Sequence, residues 1–184
     1  CSILAGFSAP FTALELLWIN IIMDGPPALT LGLEPIRSDL LKHKPTRRNE
    51  NIISKKMLFR IFFNGIYISV IFMLQHFKNF LGAAPEEEAT VLFTLFVLFQ
   101  LFNAFNCREL DDTPMCKNLL KNKLMLGVFL LVLILQIIIT QFGAAVFETV
   151  SLSVGMWGKM LLTAFTVIIL NEVVKAVKRL FGRK

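Results

Sequence analysis

The chain has 184 residues, 55% of them hydrophobic, and a mean hydropathy of +0.67, where a soluble domain is about 45–50% apolar. The excess is gathered in long runs that a water-soluble core does not need, so composition excludes an ordinary soluble domain and points to a helical membrane bundle. The net charge of +6 does not indicate nucleic acid, because the aromatics are mostly Phe inside apolar runs, where lipid contact and helix packing explain them.

A bilayer span needs about 20 mostly apolar residues. Residues 1–7 read as the end of a truncated span, since the chain opens inside an apolar run with no initiating Met and no signal sequence. Residues 12–33 form a full span, interrupted at Asp24-Gly25-Pro26-Pro27. A charged connector follows over 34–56, then a span over 57–77 and a loop holding Gly82, Pro85 and Glu86-Glu87-Glu88. The acids of that loop suit the start of the next helix. The remaining spans are 89–106, 124–142 and 157–177, with a second charged connector over 107–123, a short loop over 143–155 and a basic tail from Lys178. The expected fold is all-α: one polytopic transmembrane bundle over 1–184, with five full spans plus the end of a sixth and a broken helix at Asp24–Pro27.

Lysine and arginine placement orients this bundle. Arg37, Lys42, Lys44, Arg47, Arg48, Lys55, Lys56 and Arg60 surround the first connector; Arg108, Lys117, Lys121 and Lys123 the second; Lys175, Lys178, Arg179, Arg183 and Lys184 the end. With alternating spans all three groups share one side and only Lys78 and Lys159 face the other, so both connectors and the C-terminus are expected in the cytosol. Cys1, Cys107 and Cys116 form no CxxC pair and carry no expectation of a disulfide or a metal site.

Polar residues inside spans are costly and therefore informative. Asn20 and Asp24 lie four apart on one helix face and offer oxygen donors of the kind hard cations use. Gly25 permits unusual backbone angles, and Pro26 and Pro27 have no N–H for the carbonyls of Ile22 and Met23. Carboxylate, amide and bare carbonyl oxygens thus fall within one turn, a design suited to an ion site. The other reading is a structural kink, with Asp24 satisfied by a lysine or by backbone. Gln100, Asn103 and Asn106 form a second stripe; Gln100 suits an ion site and an inter-helix hydrogen bond equally, and packing is the better reading for Asn103 and Asn106. Glu15 stands near the outer end of the interrupted span, either on an exit path or reaching the interface. Glu172 is expected in a local ion pair with the basic tail, and Gln136 in a packing hydrogen bond. His43 and His76 have no partner at metal-ligand spacing.

Leu17-Trp18-Ile19-Asn20-Ile21-Ile22-Met23-Asp24-Gly25-Pro26-Pro27-Ala28, followed by Leu31-Gly32-Leu33-Glu34-Pro35, resembles the sixth membrane helix of P-type calcium-transporting ATPases. Its Asp-Gly-Pro-Pro form is similar to the secretory-pathway calcium/manganese branch. Phe99-Gln100-Leu101-Phe102-Asn103-Ala104-Phe105-Asn106 resembles the eighth helix, in a form similar to the plasma-membrane branch. The resemblance covers the whole chain as helices five to ten. It implies Asn20 and Asp24 as calcium ligands, with Ile22 and Met23 as carbonyl donors and Gln100 as a further candidate. Met23 and Gln100 stand where two-calcium pumps have Thr and Glu, which implies one calcium per cycle, with manganese as the second candidate ion. It also implies ATP and Mg2+ acting through domains not present in this sequence, which contains no Asp-Lys-Thr-Gly-Thr phosphorylation motif. The implied partners are the lipid bilayer and the remainder of the same pump: its fourth and fifth helices, and a phosphorylation domain docked by Lys42, Lys44, Arg47 and Arg48. The implied location is the plasma membrane or a secretory-pathway membrane. The competing expectation is a non-catalytic membrane scaffold or regulatory fragment.

Overall fold

A computed structural model of the chain describes residues 11–33, 54–108 and 122–181. Every regular element in these residues is helical: α1 (Ala13–Trp18), a π-helical segment (Ile19–Asp24), α2 (Gly25–Gly32), α3 (Lys55–Lys78), α4 (Glu88–Arg108), α5 (Lys123–Phe142), α6 (Ala144–Phe147) and α7 (Val154–Phe181). Only a helix satisfies its own backbone in a lipid-exposed single span. Three of the long helices, α3, α5 and α7, start at polar caps: Ser54 Oγ accepts from Met57 N, Asn122 Oδ1 from Met125 N and Ser153 Oγ from Met156 N, meeting N–H groups that the first turn leaves free.

Four helices are long and apolar enough to cross a membrane: Met57–Lys78, Glu88–Cys107, Lys123–Phe142 and Val154–Lys178. The expected spans 57–77, 89–106, 124–142 and 157–177 fall inside them. The expected fifth span, 12–33, is one continuous helical run from Ala13 to Gly32, made of three consecutive pieces of 6, 6 and 8 residues. Four of the five expected full spans are thus matched by single helices of spanning length among the described residues. Residues 1–7 and most of both connectors lie outside the described residues. The expected loop over 143–155 contains one helical turn, α6.

The helix α4 is the axis of the bundle. Inside the molecule 67% of its apolar stretch is buried, against 11% for α3, 22% for α5 and 33% for α7. Its most extensive neighbour is α7, and it also touches α2, α3, α5 and the π segment. One apolar cluster joins Val91, Leu95, Leu98 and Phe99 of α4 to Met160, Ala164 and Val167 of α7. A second joins Phe93, Val97 and Leu101 of α4 to Ile19 and Val132. The outer faces of α3 and α5 present Phe59, Phe62, Ile66, Leu130 and Ile138, as expected of surfaces in contact with hydrocarbon.

The turn between α3 and α4 is knit by side chains. Buried Gln75 donates from Nε2 to Asn79 Oδ1 (2.9 Å) and accepts from Leu81 N (3.1 Å). Asn79, in the left-handed region at φ 42°, donates to Ala83 O and accepts from Ala83 N. Gly82 takes φ +71°, a conformation that favours glycine. Lys159 Nζ reaches from α7 to Leu81 O at 2.7 Å.

Candidate functional site

The span that carries the candidate ligands begins with a capping box. Thr12 N donates to Glu15 Oε2 at 2.7 Å, and Glu15 N donates to Thr12 Oγ1 at 3.3 Å. Two N–H groups at the helix start are satisfied reciprocally. Glu15, considered for an exit path, is therefore engaged in its own helix and is only 3% exposed.

Six residues later the helix widens. Ile19–Asp24 is π-helical, a form seen mostly as single turns inside α-helices, frequently at functional sites. The break expected at Gly25, Pro26 and Pro27 takes this shape rather than an unwound stretch. Gly25 stays in the right-handed region at φ −63°, ψ −69°, so its backbone freedom is not used. The two prolines occupy the second and third positions of α2, where a helix N-terminus has no N–H to lose. The chain thus accommodates Pro-Pro by ending one hydrogen-bonding regime and starting another, without leaving the helix.

The π segment has two faces. Ile19 is buried and Ile22 half-buried against Phe93, Val97, Leu101 and Val132. Asn20 and Ile21 are exposed on the other face. The backbone of Met23 and Asp24 belongs to the segment, while their side chains lie outside the described ones. Gln100 occupies different surroundings: it lines a cavity of about 370 Å³ between α3 and α4, together with Arg60, Asn64, Ser69, Asn103 and Asn106. Among the described residues no three His, Cys, Asp or Glu side chains gather as a metal cluster.

The rest of the second polar stripe is engaged in packing, in line with its reading from sequence. Asn64 Nδ2 donates to Asn103 Oδ1 at 2.8 Å, and Asn171 Nδ2 donates to Asn64 Oδ1 at 2.8 Å. This chain of amides ties α3, α4 and α7. Asn106 Nδ2 donates to Val167 O at 3.2 Å. Asn64 and Asn171 escaped notice in the sequence; the available signal was an amide inside each of two apolar runs. Gln136 is fully buried in a knot: Trp18 Nε1 donates to its Oε1 at 3.1 Å, and its Nε2 reaches Thr94 Oγ1 and Thr140 Oγ1 at 3.4 and 3.3 Å. Glu172 pairs with Lys175 at 3.0 Å, as its position suggested. His76 has an unforeseen neighbour, with Nδ1 3.3 Å from Glu88 Oε1 across the α3–α4 turn. Lys42, Lys44, Arg47 and Arg48 lie outside the described residues.

The family model described as "Cation transporting ATPase, C-terminus" matches residues 8–177. The chain is 34% identical over 151 residues to calcium-transporting ATPase 12, plasma membrane-type, of Arabidopsis thaliana, covering 81% of this chain and 15% of that protein. It is 31% identical over 182 residues to the probable calcium-transporting ATPase 6, plasma membrane-type, of rice (Oryza sativa subsp. japonica), covering 96% of this chain and 18% of that protein. A plasma membrane calcium-transporting ATPase of Caenorhabditis elegans is 30% identical over 182 residues, covering 92% and 14%. The chain thus spans less than one-fifth of the length of these three relatives.

Proposed function

Because the chain belongs to the cation-transporting ATPase family, as its C-terminal region, we propose that it is the C-terminal membrane part of an ATP-driven P-type pump that exports calcium from the cytosol. Asn20 and Asp24 supply oxygen ligands to the calcium, with the backbone carbonyls of Ile22 and Met23 beside them and Gln100 as a further contributor. The observation that carries this reading is the π segment at Asn20–Asp24, in a chain whose relatives are named for calcium transport. Widened turns redirect carbonyl oxygens away from regular pairing, and oxygen donors are what calcium requires. The rest of the ligand shell comes from helices beyond this sequence. One calcium moves per cycle, since Met23 lacks the side-chain oxygen of a threonine and Gln100 the charge of a glutamate, and manganese is the second ion to test. ATP and Mg2+ act on other domains, which Lys42, Lys44, Arg47 and Arg48 help to dock. The connectors and C-terminus face the cytosol, where the basic residues gather.

Replacement of Asp24 with Asn in the full-length pump carrying this chain tests the reading. Calcium-dependent phosphorylation by ATP is expected to disappear. Phosphorylation at the wild-type level would overturn the assignment.

A further inference from the structure

A π turn is an irregular element held in place by its surroundings, so what grips its two ends matters. Trp18, the residue directly before the segment, donates from its indole to Gln136 Oε1 at 3.1 Å. Gln136 is itself fixed by two threonines, Thr94 on α4 and Thr140 on α5. On the other side of the segment, Thr30 Oγ1 donates to Pro27 O at 2.8 Å, and Asn122 Nδ2 donates to Thr30 O at 3.2 Å. Gln136 lies in α5, and Asn122 is its N-cap. Both grips therefore come from one helix, which carries no ionisable side chain from Leu124 to Phe142.

We propose that α5 is a splint for the ligand-bearing span, with Gln136 and Asn122 as positioning residues that hold Trp18 before the π segment and Thr30 in the helix after it, and so set the places of Asn20 and Asp24. The two anchors stand about 21 Å apart along α5 at about 1.5 Å per residue, and the positions they hold, Trp18 and Thr30, lie on opposite sides of the π segment. Near the Thr30 anchor, α2, α4 and α5 enclose a void of only about 10 Å³, lined by Pro27, Thr30, Leu101, Ala104, Met125 and Phe129. Relaxation of the π turn to a regular α turn rotates the residues on one side of it relative to those on the other. With both ends held, that rotation requires breaking an anchor.

The splint deepens the calcium-pump reading and rests on it. The test uses the full-length pump carrying this chain and measures calcium-dependent ATP hydrolysis across calcium concentration. Trp18→Phe keeps an aromatic ring beside Phe147, whose ring lies 5.9 Å from that of Trp18 in wild type, and removes the N–H donor together with the pyrrole part of the indole. Asn122→Asp keeps the oxygen that caps α5 and removes the donor to Thr30 O, so α5 retains its start. For each, the calcium concentration at half-maximal rate is expected to rise about fivefold, while the rate at saturating calcium stays within about twofold. Trp18→Phe combined with Gln136→Leu also removes the bonds from Gln136 to Thr94 and Thr140 and is expected to raise the half-saturating calcium concentration at least as far as Trp18→Phe alone. Unchanged half-saturation in Trp18→Phe and Asn122→Asp overturns the splint, as does a loss confined to the maximal rate. Asp24→Asn in the same preparation separates the two claims. Phosphorylation surviving there removes the transport reading, whereas its loss alongside unshifted affinity in the anchor variants removes the splint alone.

Discussion

The two polar stripes of this bundle are built from similar side chains and behave differently. On α4, Asn103 and Asn106 are paired across helices, Asn103 through Asn64 to Asn171 and Asn106 to the Val167 carbonyl. On the π segment, Asn20 is exposed, and on α4 Gln100 faces a cavity rather than a neighbouring amide. In a bilayer, a polar group paired inside the bundle contributes to holding helices together. A polar group placed on an irregular turn without such pairing is available to a ligand. The same residue type is thus paired between helices in one place and left open in the other, and the neighbours decide which.

Three substitutions probe that contrast, in decreasing order of effect. Asn20→Leu removes an oxygen from the proposed calcium site without breaking an inter-helix bond. It is expected to raise the calcium needed for half-maximal ATP hydrolysis by at least about tenfold in the full-length pump, with thermal stability of the bundle unchanged. Equal affinity in this variant would place Asn20 with the packing residues. Asn64→Leu acts the other way: it breaks two hydrogen bonds, and at the values found in membrane proteins the loss is about 1–3 kcal/mol of stability. Unfolding in detergent or nanodiscs would measure it. Thr12→Ala removes half of the capping box and is expected to cost about 1 kcal/mol, again read by unfolding, with calcium affinity unmoved if the Thr12–Glu15 pair serves only the helix start. A large affinity change there would return Glu15 to the ion path.

Much of the architecture was legible without coordinates. Runs such as 124–142 are too long and too apolar for anything but a spanning helix, and the observed Lys123–Phe142 follows from length alone. The pairing of Glu172 with Lys175 was legible because the partners lie three apart on one helix. The consequence of Pro26-Pro27 was legible only in part. Their missing N–H groups announce a disturbance, but unwinding and widening satisfy that loss equally well, and packing of Ile19 and Ile22 on Phe93, Val97 and Leu101 favours the one that keeps the helix.

The long-range partners were not legible. Trp18 and Gln136 stand 118 residues apart in sequence, and Asn64 and Asn171 stand 107 apart. Such pairs depend on how each helix is rotated about its axis, and in a uniformly apolar helix like α5 no hydrophobic stripe reports that rotation. The sequence by itself determined that this is a helical membrane chain, where its long helices run, and that the span carrying Asn20 and Asp24 is disturbed, because apolar length and the position of prolines are local properties. Only the tertiary structure decided that the interruption is a π turn and that Trp18 and Thr30, on either side of it, meet Gln136 and Asn122 of α5, because those outcomes depend on which side chains meet across helices.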